Sequence, residues 1–489
     1  MLLADASPEA QLTFMGGALI ENRRVLDVYE RYYSGAVPFH LHEARYAEVY
    51  RRMQREARPK WGKLIILAAT QRLAIEGFLT QGETEPDTDL WDSFVRNGLD
   101  QAQHEVHLEA TLHGRAYVSG WPTAEGVIRC IPESPAEVIH WRSPDRSQMV
   151  ALKMWTEGET LRARLFTQDW VYQWAAPVQA VTWDSFGLSS EDIARGDRLA
   201  SEPVDITVSP EVWRADGPAQ PNPFAPFLPI VPFVAGARMS DTLGRSDLES
   251  AIDIIDRLMT LQLDLLLVSK VMGFPVRWAS GIETEMNADG SPRDGAFTTA
   301  IERFLTTDNP EAKFGQLPAA DLRQIAAVVS QTVTELAAAT ETPSSVLATA
   351  NLANPVSAEA LRAQEIPLVH RVKRHQRSFG PSWVHVARLL SLTLDGTVEP
   401  LWADAEVHSE AALTDALVKQ VTSLELPREA AWEQLPGSTP ATVARWRMMR
   451  AQQTMEDQLA AALLQPPPGA AAPTPPPTPP AAPAEVPSG

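Results

Sequence analysis

The chain has 489 residues and carries 42 Lys and Arg against 62 Asp and Glu, a formal net charge of -20. Its 44% hydrophobic and 21% charged content is that of a globular protein long enough for more than one domain, while the acidic excess argues against a protein that wraps nucleic acid by neutralising phosphates. Cys130, the only cysteine, excludes an intrachain disulfide; no secretory signal is read in Met1 to Ala10, and apolar runs such as Leu265 to Val268 are far too short to span a bilayer.

Ser7-Pro8-Glu9 is a helix start, and Leu12, Ile20, Leu26 and Tyr29 carry the helical period to about Tyr33, where Gly35 and Pro38 break it. Further helices are expected over Glu43 to Arg55, Trp61 to Ile75 and Asp89 to His113. Arg51, Arg52, Arg55 and Arg58 offer a phosphate-binding patch, but a solvated helix face is the stronger reading. His104 and His107 share a helix face and could hold a metal; no third ligand accompanies them, and both are read as surface histidines.

From Arg115 to about Trp213 the period changes to short alternating runs, Ala116 to Gly120, Val127 to Ile131, Val138 to Trp141, Met149 to Trp155 and Thr160 to Phe166. Pro, Gly, Asp and Ser separate them, which predicts antiparallel strands and hairpins. Trp141, Trp155, Trp170, Trp174 and Trp183 are expected to fill a sheet face rather than to stack on bases. The Pro-rich run Pro218 to Pro232 reads as an extended linker.

Ser246 and Glu249 have capping-box spacing, and an apolar stripe follows through Leu248, Ile252, Ile255, Leu258, Met259, Leu263, Leu266 and Val271 to a stop at Gly273 and Pro275. A second helix after Pro318 carries Leu322, Ile325, Ala326, Val329, Val333, Leu336 and Ala337 on its stripe, with Asp321, Arg323, Gln324 and Glu335 off it. Each is expected to be on the order of 35 Å long. The insert between them has weak strands at Pro275 to Trp278 and Ala300 to Leu305. A loop of small uncharged residues lies between Pro343 and Pro355, and Asn354-Pro355 caps a third helix with Leu361, Ile366, Val369 and Val372, bent at Pro367. Gly380-Pro381 is expected to reset the chain before Trp383 to Leu394. A strand at Val398 to Trp402 and helices at Ser409 to Leu424, Arg428 to Leu435 and Pro440 to Leu464 follow, and the Pro/Ala tail 465–489 is expected to be disordered.

The order "GRSDLESAIDIIDRLMTLQLDLL", "ETPSSVL", "NPVSAEALRAQEIPLVHRVKRHQRSFGPSWVHVARL" resembles the portal (head-to-tail connector) proteins of tailed bacteriophages and phage-like gene transfer agents. Arg31-Tyr32-Tyr33-Ser34-Gly35, Trp61 through Arg72-Leu73 to Gly77-Phe78, His113-Gly114-Arg115-Ala116-Tyr117, Val231-Pro232-Phe233 and Trp402-Ala403-Asp404 fit the same pattern in the same order, so the resemblance runs from about Leu19 to Gln452. Its strength is collinearity.

The resemblance implies an α+β portal fold with a mixed α/β wing at 1–245, stem helices at 246–272 and 318–342, a small α/β clip at 273–317, a tunnel loop at 343–356, a kinked wing helix at 357–396 and a helical crown at 397–464. It implies a ring of twelve copies at one capsid vertex, assembled in the host cytoplasm and carried in the virion, through which double-stranded DNA enters and leaves. Large terminase, a head-tail adaptor and the major capsid protein are the implied partners, with no cofactor, metal or membrane. Asp321, Ile325, Val329, Val333, Leu258 and Leu266 would belong to the stem, and Arg277, Trp278, Glu283, Glu285, Arg293 and Arg303 to the docking face of the clip. Ala348, Thr349, Ala350, Asn351, Leu352, Ala353 and Asn354 would face DNA, and their small size fits a passive guide better than a grip.

No phosphate-cradling G-x-x-x-x-G-K-[ST], G-x-S-x-G elbow or zinc-type cluster is present. Asp247, Glu249, Asp253 and Asp256 leave two competing classes open beside the portal reading: a carboxylate metal nuclease acting on DNA, and a cytoplasmic assembly scaffold. A favourable place at the positive end of a helix dipole is the simpler account of those acids.

Overall fold

In a computed structural model of the protein, described for residues 6–37, 60–80, 85–178, 210–239, 241–272, 277–280, 313–316, 322–347, 358–391, 396–406, 410–424, 427–435 and 440–464 with Leu3, Glu83 and Ser438, the Ser7 side chain accepts from the Ala10 amide and opens helix α1, Pro8–Ser34. Leu12, Met15, Leu19 and Ile20 of α1 are buried against a six-stranded antiparallel sheet of β4 (Val138–Arg142), β5 (Met149–Glu157), β6 (Thr160–Phe166), β7 (Trp170–Pro177) and the short β8 (Arg214–Ala215), with β9 (Gln220–Pro221) also paired to β7. β4, β5 and β6 fall where alternation predicts them, whereas β7, β8 and β9 match no run singled out from the sequence. Trp174 packs in that core, Trp141 packs against it, and Trp170 is exposed; Trp183 lies outside the described residues.

Several helices end earlier than periodicity suggests. The one expected over Trp61 to Ile75 is α2, Trp61–Thr70, and Ile75 instead opens strand β1, Ile75–Thr80, which pairs with Val398–Trp402 far along the chain. The segment expected as one helix from Asp89 is divided into α3, Thr88–Arg96, and α4, Leu99–His113, because Gly98 takes a left-handed φ of 69°. The Pro-rich stretch is no mere linker: Ile230–Val234 forms strand β10, at the edge of a sheet with β2 (Arg115–Pro122) in the middle and β3 (Ile128–Glu133) beyond it. Pro232 is tolerated there because an edge strand need not donate on both sides.

A 33-residue helix, Ala358–Leu390, runs through both Pro367 and Pro381, so the expected reset at Gly380-Pro381 does not occur. Phe379, Trp383 and Val386, packed with Phe78, Phe94 and Phe233, hold the helix across a local penalty of about 3 kcal/mol. Ser378 and Ser382 donate to the Val234 and Pro232 carbonyls and fix it to β10. Leu361 and Ile366, expected on the apolar stripe, precede Pro367 and are exposed; the buried stripe starts at Leu368.

His107 overturns its reading as a surface group. It is fully buried, its Nδ1 3.1 Å from the Leu73 carbonyl and its Nε2 accepting from Trp383 Nε1 at 2.9 Å, partners that assign the neutral Nδ1–H tautomer. Burial drives its pKa down to about 3. His104 is exposed.

The chain divides into two units, Met1–Ala405 and Glu406–Gly489. The second contains helices Glu410–Ser423, Arg428–Glu433 and Pro440–Leu464, close to their predicted bounds, with Trp432 and Trp446 edge to face at 6.3 Å. The Arg51 to Arg58 patch, the helix expected over Glu43 to Arg55 and the tail 465–489 lie outside the described residues.

Trp383→Phe keeps the buried ring but leaves His107 Nε2 without its donor. A destabilisation of about 1–3 kcal/mol is expected, read as a lower urea midpoint at unchanged slope.

Candidate functional site

The two long helices predicted from the apolar stripes are α5, Ile252–Met272, and α6, Leu322–Ala339. With 21 and 18 residues they span about 32 and 27 Å, shorter than their stripes implied. They run antiparallel, because the start of α5 lies beside the end of α6: Ser250 Oγ donates to the Ala339 carbonyl, and Arg257 pairs with Glu335. Strands β11 (Arg277–Ser280) and β12 (Lys313–Gln316) form an antiparallel hairpin within the insert that joins them.

Burial along this pair is graded. Near the body of the protein Ile255, Leu258, Met259, Val333 and Leu336 are closed off against Tyr32, Ile65 and Ile66. Farther out Leu265, Leu266, Leu267, Val268, Ile325 and Val329 are only half-buried, and Val328 is 46% exposed. An apolar flank is left on the outer half of the pair.

The inner end is fixed by ionic contacts that sequence reading missed. Arg371, 2% exposed, lies on the long helix, named α8 here after the short turn α7, Ser344–Leu347. Its Nε donates to Asp247 Oδ2 at 2.8 Å, one terminal nitrogen to the Thr340 carbonyl at 2.7 Å and Thr342 Oγ1 at 3.1 Å, and the other to the Ile65 carbonyl at 2.7 Å. His375 Nε2 lies 2.9 Å from the same Asp247 oxygen, and the Asp247 amide donates to the Thr111 carbonyl. The fork geometry of a guanidinium satisfies the ends of several elements at once, which Lys could not do. At the rim Arg374 pairs with Glu341, a residue held at a positive φ of 53° where α6 ends. Burial alone would raise the Asp247 carboxyl, but neighbouring His375 and Arg371, by charge and hydrogen bond, outweigh it and hold the group well below the usual carboxylate range.

This contact also revises the expected start of the first long helix. Ser246 Oγ accepts from Leu248 N rather than capping a full turn, and the Glu249 carboxylate goes to Arg245, so a tight lead-in turn precedes Ile252.

Of the residues singled out from sequence, Leu258 and Val333 are buried between the helices, while Leu266, Ile325 and Val329 line the outer flank. Arg277 and Trp278 lie on β11. Asp321, Glu283, Glu285, Arg293, Arg303 and the run Ala348, Thr349, Ala350, Asn351, Leu352, Ala353 and Asn354 lie outside the described residues. The run's preceding anchor is described: Leu347 is buried, and its carbonyl accepts from Trp61 Nε1.

The acidic set suspected of metal chemistry is dispersed into partnerships. Asp247 goes to Arg371 and His375, Glu249 to Arg245, and Asp256 accepts from the Tyr32 hydroxyl at 2.7 Å. Among the described residues no group of three His, Cys, Asp or Glu could hold a metal ion, and no helix is long and apolar enough to cross a membrane.

Arg371→Met should cost about 3–5 kcal/mol, because it strands Asp247 in the interior. Arg374→Met, at a half-exposed pair, should cost about 0–1 kcal/mol. Urea unfolding of the two variants checks the contrast. Because the folded-state pKa of Asp247 is depressed, its contribution is present above the ordinary aspartate range and is lost as pH falls through that range toward the lower folded value. Asp247→Asn is therefore expected to flatten the acid limb of a stability-against-pH curve.

Comparison with known proteins bears on the whole chain. It is 26% identical over 399 residues to the portal protein of Mycobacterium phage D29 and 26% identical over 396 residues to that of Mycobacterium phage L5, covering 76% of this chain and 74% of each relative. A chain of the virion of a native gene transfer agent particle superposes with a TM-score of 0.44 at 11% identity, over 86% of this chain and 100% of that one. The family model for phage portal proteins of the SPP1 Gp6-like type matches residues 18–456, from within α1 to the last described helix, and the chain therefore belongs to that family.

Proposed function

We propose that this portal protein assembles into a closed ring of twelve copies at a single capsid vertex and forms the channel through which double-stranded DNA is packaged and ejected. The observation that carries the reading is the graded burial of α5 and α6. Their inner ends are locked by Arg371, while Leu266, Ile325, Val328 and Val329 leave an apolar flank on the outer half. A single copy covers that flank incompletely, and a head-to-tail contact that closes covers it in every copy. A structural role fits the family, and a virion location follows from it.

On this reading the stem is 246–272 with 318–342, and Asp321, Ile325, Val329, Val333, Leu258 and Leu266 serve it. The insert 273–317 is the clip, where Arg277, Trp278, Glu283, Glu285, Arg293 and Arg303 meet terminase and then the head-tail adaptor. The loop 343–356 faces DNA and guides it passively. Residues 1–245 and 357–396 form the wing that meets the major capsid protein, and 397–464 form the crown. Assembly takes place in the host cytoplasm before DNA enters.

Native mass measurement and negative-stain imaging of the purified chain test this. Rings of about twelve copies are expected, and a monomer or dimer at every concentration would overturn the proposal. Val328→Asp is expected to abolish rings while shifting the urea midpoint of the single chain by no more than about 0.5 kcal/mol, since the site is half-exposed there.

A further inference from the structure

Arg115 opens strand β2, and its side chain lines an open cleft of about 400 Å³ between Asn22 and Tyr29 of α1 on one side and the Asp241 to Ser246 loop on the other. Glycine brings these backbones together. Gly244 has a φ of 75°, and a Cβ there would lie 2.3 Å from the Gly114 carbonyl oxygen and 2.5 Å from that of Ala235. The carboxylates of the rim are already taken, Asp241 and Glu249 both pairing with Arg245.

Among the described residues Arg115 has no carboxylate partner. It is 4% exposed, and its Nε and Nη2 are buried with no hydrogen-bond acceptor among the described residues. The hydrogen-bonding group beside it is the Tyr117 hydroxyl, itself 3.0 Å from His140 Nδ1. His113, on the same cleft, turns its Nε2 toward the Glu109 carboxylate at 3.4 Å, which leaves its buried Nδ1 an acceptor and no part of an anion grip. Nε and Nη2 form one edge of the guanidinium, the edge whose two parallel N–H groups grip a carboxylate or phosphate bidentately. Leaving such an edge buried and empty is unfavourable, and surface arginines have no need of it.

We infer that this cleft holds a small free oxyanion of phosphate or carboxylate type, gripped by the Nε and Nη2 edge of Arg115. Nε and Nη2 are shielded from solvent, so seating the anion requires the guanidinium to turn outward into the open cleft. Such a site goes beyond the channel role.

Titrating inorganic phosphate into the full chain at constant ionic strength, followed by calorimetry and phosphorus NMR line width, tests it. Saturable binding competed by acetate is expected, weakened at least about tenfold by Arg115→Lys, which keeps the charge but not the fork, and abolished by Arg115→Met. Arg214→Met, an exposed arginine elsewhere, is expected to bind as the parent does. Absence of saturable binding, or full binding by Arg115→Met, overturns the proposal. Should the Met variant not fold, tungstate-soaked crystals of the parent protein decide: an anomalous peak on the Arg115 edge supports the site. Ordered water alone, or a carboxylate of a second copy seated on that edge, overturns it.

Discussion

Arg371 is the contact on which the arrangement of the long helices depends. A guanidinium with almost no exposure is tolerable only when its donors are filled, and here the acceptors come from separate parts of the chain: Asp247 ahead of α5, Thr340 and Thr342 after α6, and Ile65 within α2. The residue sits on α8, so the start of one long helix, the end of the other and the helix that follows them are tied to one side chain. His375, one turn along, doubles the hold on Asp247. Replacing Arg371 together with Asp247 and His375 by apolar side chains of similar volume would cost little packing, but it would not specify which helix end meets which, and fixing that register is the best physical account of a buried charge here.

A second constraint follows from where the apolar surface stops being covered. Tyr32, Trp61, Ile65, Leu258 and Leu336 form a closed cluster beside the Arg371 contacts, whereas Leu265 to Val268, Ile325 and Val328 on the outer half of the same two helices are only partly covered or exposed. A helix pair is a two-element layer, and two amphipathic stripes facing one another cannot cover more than one side of each. Rigid anchoring at one end and an uncovered flank at the other suit a part that completes its packing against copies of itself. The exposed polar positions Arg323, Gln324 and Glu335 keep the remaining faces solvated.

Much of this was legible in the sequence, and the misses share one cause. Strands β4 to β6, the apolar stripes of α5 and α6, and the helices after Val398 have periods that local packing and solvent alone enforce. The errors arise where a distant partner overrides a local signal. Gly380-Pro381 reads as a break, yet Phe94 and Phe233 hold the helix through it. Ile75 reads as the end of a helix, yet a strand from beyond Thr397 claims it. Ser246 and Glu249 read as a capping box, yet Arg245 and Leu248 take their side chains. His107 reads as surface because its partners, Leu73 and Trp383, lie on other elements. Arg371 and His375 left a trace that could have been followed: they sit one turn apart on the face that also carries Leu368, Val372, Phe379 and Trp383, and polar residues on an apolar stripe mark buried, partnered groups.

The charge of the chain fits a conduit better than a clamp. Net charge of -20 in one copy, repeated around a closed ring, gives a surface that repels a polyanion at any distance within the Debye length of about 8 Å at physiological salt. DNA that must move in both directions gains from such a surface, because each phosphate neutralised by a Lys or Arg adds a contact to be broken for every step of travel. Two cations near the long helices are withheld from that role: buried Arg371 is spent on Asp247 and backbone carbonyls, and half-exposed Arg245 on Asp241 and Glu249. A basic group that holds the wall together cannot also hold the cargo, so Arg371 cross-ties the chain without adding a contact that moving DNA must break.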